Sequence, residues 1–310
     1  MEAYPVTSWK RWPVILRDYA TTHPATTLGF GIGLLGVIIL LGQSLLQIVV
    51  GEAPLGVRNA LIGGTAGFAA TALGAVPALA LRGIPQKLED SLLGMAAGMM
   101  LAASAFSLIL PGIEAGTGIT GSKTLGAVVV AVGMGIGVLL MLGLEGFTPH
   151  VHEGTGPIGP GTERYSRVWL FVFAVALHNL PEGMAIGVGF AENDLSVGIP
   201  LTTAIALQDM PEGLAVALAL RTAGFSSFKA VLAGAASGLL EPFGALLGVG
   251  LSSGLALAYP TGLGLAAGAM IFVVSHEVIP ETHRNGHQTP ATLGLMAGFA
   301  LMMLLDTTLG

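Results

Sequence analysis

The sequence contains no cysteine and few charged residues, and both deficits narrow the possible functions. Without cysteine the chain cannot form disulfides, thiolate zinc sites, iron–sulfur clusters or a cysteine nucleophile. Charged residues make up only 10% of the 310 positions, too few to cover the surface of a soluble domain. The net charge of −6 argues against the basic surface that binds nucleic acid, so we expect no nucleic-acid partner. Any bound metal must be held by nitrogen, oxygen or thioether sulfur.

Apolar residues dominate the chain, with 53% hydrophobic residues and a mean hydropathy of +0.80. A helix that crosses the lipid bilayer needs about 20 apolar residues. Continuous apolar runs predict nine such helices, and none shows the alternating pattern of an outer-membrane barrel. The predicted spans are residues 28–50, 60–81, 91–113, 124–146, 168–191, 197–220, 230–251, 255–280 and 291–309. The sequence therefore predicts an all-α integral membrane protein.

The basic residues predict how the chain is oriented. With nine spans, the N-terminal segment 1–27 and every second connection share one side of the membrane, and that side carries all basic residues except Arg58 and Lys123. By the positive-inside rule, this side is cytoplasmic. We therefore expect a multi-pass protein of the cell (inner) membrane, with the N-terminus in the cytoplasm and the C-terminus outside.

The longest connection, 147–167, falls on the predicted cytoplasmic side. It is rich in Gly and Pro and is expected to be flexible. It contains His150 and His152, which are either ordinary solvated residues or secondary metal ligands.

Glycine pairs four residues apart recur in the predicted helices. Such spacing lets two helix backbones approach closely, although a glycine-rich chain produces some pairs by chance. The pairs are Gly94 and Gly98, Gly133 and Gly137, Gly183 and Gly187, Gly234 and Gly238, and Gly294 and Gly298.

One polar motif occurs twice in the middle of predicted spans. HNLPEG begins at His178, and QDMPEG begins thirty residues later at Gln208. Because consecutive spans run antiparallel, the copies meet near the bilayer midplane, related by a local two-fold axis in the membrane plane, as in many transporters. Pro181 and Pro211 each leave one helix carbonyl without a donor, which is tolerated at this depth beside a cavity, water or an ion.

The motif copies supply nitrogen and oxygen donors on matching helix faces. In each copy the first residue lies four before the glutamate, so both share a face. The six donors are His178, Asn179, Glu182, Gln208, Asp209 and Glu212. Glu241 in the span 230–251 can approach them, and His276 and Glu277 lie toward the inner end of the span 255–280.

Five carboxyl groups inside the spans need neutralisation, and the spans contain no Lys or Arg to provide it. They are Glu182, Asp209, Glu212, Glu241 and Glu277. A central charge costs about 2.5 to 3.5 kcal/mol on insertion scales, so five would cost on the order of 12 to 17 kcal/mol. A divalent cation would remove this cost and would also use the imidazole and carboxamide groups. Four acids near one seam exceed what one dication needs, which favours a binuclear site or one metal plus a proton. These ligands suit Zn²⁺ best, with Cd²⁺, Fe²⁺, Mn²⁺ or Co²⁺ as further options.

These motifs resemble the ZIP family of divalent metal transporters. HNLPEG is similar to the fourth-helix motif of the family, and QDMPEG occupies the fifth-helix position, where Gln208 and Asp209 resemble the bacterial GufA-like branch. His276 and Glu277, with the Pro and Glu that follow, resemble the seventh-helix pattern. The resemblance covers residues 60–310 and leaves 28–50 as an extra N-terminal span.

This resemblance implies an eight-helix core, with two three-helix bundles of inverted topology around the motif pair. It also implies metal import toward the cytoplasm and a homodimer. By position, the transport site would consist of Met100, His178, Asn179, Glu182, Gln208, Asp209, Glu212 and Glu241. The pathway or secondary metal residues would be Ser107, His150, His152, His276, Glu277 and Asp306, with Asp306 at the outer entrance.

Simpler interpretations remain open for several of these residues. Met100 could be ordinary packing, and Ser107 could hydrogen-bond between helices. Glu241 could be an acid that packs between helices and is hydrogen-bonded to a helix carbonyl left without a donor. His276, Glu277 and Asp306 could be solvated residues at helix ends. The histidines outside the candidate site, His23, His283 and His287, are expected to be solvated.

The alternative function is an intramembrane metallohydrolase, in which His and Glu hold a zinc-bound water. Its usual signature, His-Glu-x-x-His on one helix, is absent, since Pro280 stands where the second histidine would follow His276 and Glu277. A carboxylate-rich two-metal hydrolase is not excluded by spacing alone.

Overall fold

The protein is represented by a computed structural model that describes residues 21, 24–51, 53–81, 83–147, 150–152, 156–158, 167–193, 195–252 and 256–309. This part of the chain is almost entirely helical. The helices are α1 (Pro24–Val50), α2 (Leu55–Ala75), α3 (Gln86–Ala103), α4 (Leu110–Thr120), α5 (Lys123–Phe147), α6 (Arg167–Gly189), α7 (Leu195–Thr222), α8 (Ser227–Ser237), α9 (Leu240–Leu251), α10 (Ala258–Val273), α11 (Ile279–His283) and α12 (Gln288–Leu309).

The helices confirm the predicted all-α membrane class. Seven helical stretches of the described residues are long and apolar enough to cross a membrane. They are Leu55–Leu79, Gln86–Thr120, Lys123–Leu144, Leu195–Thr222, Ser227–Leu251, Ala258–His283 and Gln288–Thr308. α1 and α6, with 27 and 23 residues, are also of spanning length. The total of nine spans stays a prediction.

The long connection before α6 contains structure that the sequence did not predict. Strand β1 (His150–His152) pairs antiparallel with strand β2 (Gly156–Ile158). The connection thus contains a short hairpin, and its expected flexibility stays a prediction.

Two helices contain a π-helical segment just before a proline. Ser104–Ile109 joins α3 to α4, and Val274–Val278 joins α10 to α11. At the end of each segment, the backbone amide of the residue before the proline donates to the carbonyl five residues earlier. These hydrogen bonds run from Leu110 to Ala105 and from Ile279 to Val274. Because Pro111 and Pro280 cannot donate and would clash with the carbonyl four residues earlier, the helix widens there.

The predicted span 230–251 is interrupted rather than continuous. α8 ends at Ser237 and α9 begins at Leu240, and the Glu241 amide closes the turn by donating to the Gly238 carbonyl over 3.1 Å. Pro242 cannot donate to that carbonyl, which explains the break at this point. Glu241 consequently stands in the first turn of a new helix.

The predicted span 91–113 is also longer than expected. The helical stretch begins at Gln86 and runs to Thr120. Glu89 lies in the first turn of α3, where a carboxylate interacts favourably with the helix dipole. Residues 86–90, which the predicted span left out because most of them are polar, are therefore part of the helix.

The helix contacts repeat when the two halves of the core are exchanged. α2 packs on α7 as α9 packs on α6, α12 packs on α3 as α5 packs on α10, and α3 contacts α7 as α10 contacts α6. The exchanged pairs α2 and α9, α3 and α10, and α5 and α12 are five predicted spans apart, and α6 and α7 are consecutive. An odd separation means that the two helices of each pair run in opposite directions. The pattern is that of an inverted repeat centred on α6 and α7.

Helices of the two inverted repeats pack against one another. α3 packs extensively on α12 of the other repeat, and α10 packs on α5. A Cβ built at Gly94 or Gly98 would overlap carbonyl oxygens of α12, and one at Gly294 or Gly298 would overlap those of α3. The predicted role of the glycine pairs in close helix approach is confirmed here, and these reciprocal contacts interleave the repeats.

The α5–α10 contact offers a test of this packing. A Cβ at Gly137 would overlap the Leu265 carbonyl oxygen, whereas nothing lies within 4 Å of a Cβ at Gly135 on the same helix. We expect Gly137→Ala to destabilise the protein by about 1–3 kcal/mol through overpacking. Gly135→Ala should be neutral or stabilising by up to about 1 kcal/mol, because alanine favours the helix. Thermal unfolding in detergent measures both, and equal midpoints would contradict the packing.

Candidate metal site

The two motif copies meet where α6 and α7 pack together. Both helices continue through their internal prolines. The Gln208 Nε2 group donates a hydrogen bond of 2.6 Å to Glu182 Oε1, which joins the copies directly. Six motif side chains are buried here: His178, Asn179, Glu182, Gln208, Asp209 and Glu212. The structure thus brings together the donors that the repeated motif predicted.

The carboxylates of the site act on one another. The charge of Glu182 interacts with Glu212 and Glu241, and His178 is close enough to affect Glu212. Oxygens of Asp209 and Glu241 both lie near the position that a Cβ of Gly67 would take, and carboxylate oxygens can only accept hydrogen bonds. A proton or a cation is needed between them.

Many polar atoms of the site have no partner. The atoms without a hydrogen bond are Asn179 Nδ2, Glu182 Oε2, Gln208 Oε1, both carboxylate oxygens of Asp209 and of Glu212, and Glu241 Oε2. Buried polar atoms normally find partners, since an unpaired one costs about 1–3 kcal/mol. Seven oxygens in one buried region form a ligand set that suits a divalent cation.

The side chains are not arranged as a finished coordination sphere. In the part of the chain that the structure describes, no three His, Asp or Glu side chains converge closely enough to hold a metal ion. A bound ion would therefore need the carboxamide oxygen of Asn179 or Gln208, or a small rotation of the carboxylates.

Two residues of α2 that the sequence analysis did not single out also belong to the site. Thr71 Oγ1 donates to Glu241 Oε1 over 2.7 Å. A Cβ at Gly67 would overlap Glu241 Oε2 and lie 3.3 Å from Asp209 Oδ2. The available signal was the run of small residues at Gly63, Gly67 and Thr71, four apart on one helix face.

On the predicted inner side, one of the two expected helpers reaches the site. His178 Nε2 lies 2.9 Å from Glu277 Oε2, in the π-helical segment. The His276 side chain is exposed and stacks on Phe272, with ring centroids 5.0 Å apart. The side chains of His150 and His152 lie outside the described part of the chain.

On the predicted outer side, the two expected pathway residues are in contact. Ser107 Oγ donates to Asp306 Oδ1 over 2.6 Å. Both line a cavity of about 400 Å³, whose other walls include Glu114, Ser196 and Tyr259. Glu114 was not singled out in the sequence and adds a second carboxylate to this cavity.

Met100 is completely buried in the largest apolar cluster of the core. Its helix, α3, packs against α7, which carries Gln208, Asp209 and Glu212. This placement fits ordinary packing as well as a ligand that reaches the site, so its role as a ligand stays a prediction.

Two histidines expected to be solvated make defined contacts. His287 Nδ1 lies 2.7 Å from Asp90 Oδ2, and Asp90 also accepts from Asn285 and Gln86. His283 Nδ1 lies 2.8 Å from the Ile279 carbonyl oxygen. Asp90 is buried and needs these partners, a requirement that sequence spacing did not reveal. His23 lies outside the described residues.

Comparisons with known proteins agree with the arrangement of these motifs. The family model of the ZIP zinc transporter matches residues 158–306. The chain is 64% identical over 291 residues to the zinc transporter ZIPB of Bordetella bronchiseptica, covering 94% of each protein. It is 40% identical to the zinc transporter GufA of Myxococcus xanthus over 258 residues, 82% of this chain and 99% of that protein.

A mammalian relative matches more distantly but still over most of its length. The human zinc transporter ZIP11 is 28% identical over 335 residues, covering 82% of this chain and 98% of that protein. The names of these relatives describe transport and give no support to an intramembrane hydrolase. The motif pair on two packed helices, the repeated helix contacts and these similarities together place the chain in the ZIP family of zinc transporters, within its GufA-like branch.

Proposed function

We propose that this protein is a transporter, not an enzyme, and that it carries Zn²⁺ across the membrane through a binuclear site between α6 and α7. The observation that carries the proposal is the group of buried, unpartnered oxygens on both motif copies. The relatives that cover most of the chain are named zinc transporters. Cd²⁺, Fe²⁺, Mn²⁺ and Co²⁺ are further substrates that nitrogen and oxygen ligands can accept.

The ligands divide into two groups around shared glutamates. In this proposal one ion is held by Gln208, which bonds Glu182, and by His178, which is close to Glu212. The other ion is held by Asp209 and Glu241, whose oxygens both lie beside Gly67, together with Asn179. Glu182 and Glu212 would then bridge the two ions. Labile nitrogen and oxygen ligands suit transport, because an ion must be released as well as bound. Met100 adds a soft thioether from α3.

The path runs from the outer cavity to the inner helix ends. An ion enters beside Ser107 and Asp306, binds between α6 and α7, and leaves past Glu277, with His276, His150 and His152 assisting on the inner side. The motif helices must move relative to the helices that carry Ser107 and Glu277, so that the site opens to one side at a time.

The proposal includes orientation and assembly. The excess of basic residues on one side supports a cytoplasmic N-terminus, an extracytoplasmic C-terminus and import across the inner membrane. The homodimer has its support in the family resemblance alone.

Removing a bridging ligand tests the transport function. We expect Glu212→Ala, and likewise His178→Ala, to reduce Zn²⁺ flux into proteoliposomes by about 100-fold or more, because each removes a metal ligand and leaves other buried acids unneutralised. The variants should still insert, as judged by a monodisperse elution profile in detergent. Glu192→Ala, in an exposed turn outside both motif copies, is the control and should keep its flux. Unimpaired transport by the Glu212 variant would defeat the assignment.

Met100 is tested through metal preference. Met100→Ala should change the preference between Cd²⁺ and Zn²⁺ about fivefold to tenfold, equivalent to about 1 kcal/mol of differential binding, with a smaller effect on the Zn²⁺ rate. Met99→Ala is the matched control, since Met99 is equally buried on the same helix and its loss leaves a similar cavity. Competition flux assays give the ratio, and identical ratios in both variants would assign Met100 to packing.

The outer cavity is tested by its charge. Asp306→Asn should raise the Zn²⁺ concentration for half-maximal flux about fivefold, because one charge at about 4 Å contributes about 1 kcal/mol in water. The difference should shrink at high salt, while the maximal rate changes little. Glu192→Gln, in an exposed turn that does not line the cavity, is the control. A fall in maximal rate at unchanged half-saturation would argue against an entrance role.

A further inference from the structure

Glu241 reaches the site from α9 and has two oxygens in different surroundings. The residue is completely buried. Oε1 accepts the hydrogen bond from Thr71 Oγ1, at 2.7 Å. Oε2 has no hydrogen-bond partner. One oxygen is therefore held by α2, and the other is left available.

The free oxygen occupies space that only a glycine leaves open. A Cβ at Gly67 would overlap Glu241 Oε2 and would lie 3.3 Å from Asp209 Oδ2, which is also unpartnered. Any larger residue at position 67 would force the Glu241 carboxylate away from this region. The glycine thus permits two free carboxylate oxygens to stand on the same side of α2.

The backbone of Glu241 is held from two further directions. A Cβ at Gly183, in the first motif copy, would overlap the Glu241 carbonyl oxygen, and one at Gly64 would lie 3.0 Å from it. Pro242 fixes the chain direction immediately afterwards. Because the backbone is fixed, the direction in which the Glu241 carboxylate points depends on its contacts with α2.

We propose that Gly67 and Thr71 form a cradle on α2 that turns the free oxygen of Glu241 toward Asp209, and that this cradle decides whether a second metal ion binds. The inference rests on the binuclear site proposed above and names the residues that complete its second half. Thr71 and Gly67 touch no metal in this scheme, so they are positioning residues. Their effect is exerted through Glu241.

The inverted repeat explains why the cradle is needed on one side only. Gly213 packs on the Thr71 backbone as Gly183 packs on the Glu241 backbone, so Thr71 and Glu241 are equivalent positions, 170 residues apart. One repeat supplies a carboxylate, and the other supplies a hydroxyl that orients it. A second glutamate at position 71 would place two like charges in contact instead.

Metal stoichiometry tests the cradle. After saturation with Zn²⁺ or Cd²⁺, the wild-type protein in detergent should retain two ions per chain, measured by elemental mass spectrometry. Gly67→Ala should retain one, and its flux should fall about 10- to 100-fold, as for other groups that orient a metal ligand. Thr71→Val should act in the same direction, whereas Thr71→Ser keeps the hydroxyl and should keep both ions. Thr71→Val also covers the case in which Gly67→Ala fails to fold.

Two controls separate positioning from general packing. Gly63→Ala would place a Cβ against the side chains of Ile186, Phe190 and Thr202, so it should lower thermal stability but keep both ions. In a Glu241→Ala background, Gly67→Ala should cause no further loss of metal, because its target carboxylate is gone.

Three outcomes are decisive in different ways. Two ions retained by both Gly67→Ala and Thr71→Val would overturn the cradle while leaving the binuclear site intact. Further metal loss in the double variant would also overturn it, since the defect would then not act through Glu241. A wild-type protein that binds one ion or none would overturn the binuclear site itself, and the cradle with it.

Discussion

The structure depends on a concentration of acidic side chains where no water can solvate them. Glu182, Asp209, Glu212 and Glu241 are buried among apolar helices, and most of their oxygens lack a hydrogen-bond donor. In such surroundings a carboxylate is stable only if a proton, a donor or a cation neutralises it. Gln208 and Thr71 supply one hydrogen bond each, to Glu182 and Glu241, which leaves the remaining oxygens for an ion. In the proposed function, these unpaired oxygens give the protein its affinity for a divalent cation.

Proline and glycine make this arrangement possible in a helical membrane protein. Pro111 and Pro280 follow the π-helical segments that contain Ser107 and Glu277, and Pro242 follows the break that precedes Glu241. Ser107 and Glu277 therefore lie on widened helix, and Glu241 lies in the first turn of a new helix. The glycines act between helices, because they allow backbones to approach so closely that a methyl group would not fit. Helices packed mainly through glycine present smooth surfaces, which suits the movement of the motif helices proposed above.

The two repeats are equivalent in packing but differ in chemistry. His178 corresponds to Gln208, Asn179 to Asp209, and Glu241 to Thr71. An exact copy would place identical charges opposite one another across the pseudo-two-fold axis, which is unfavourable in a low-dielectric interior. The substitutions instead pair a carboxamide with Glu182 and a hydroxyl with Glu241. In the proposed function, the shared helix packing gives the metal ion access from both sides of the membrane. The residue differences between the repeats give a set of ligands that can bind the ion.

The sequence by itself determined the membrane class, the motif pair and the acids around it, because apolar runs and charges inside them follow from composition and spacing alone. It also named Ser107 and Asp306 as pathway residues, although their contact with each other came only from the structure. Only the tertiary structure decided which residues orient Glu241, that Glu277 rather than His276 contacts His178, and that His287 pairs with Asp90. These pairings depend on contacts between helices far apart in the chain. A residue such as Gly67, which has no side chain, carries no chemical signal in the sequence. The interleaving of the repeats was likewise hidden, because glycine spacing shows that a helix can approach another closely but does not identify its partner.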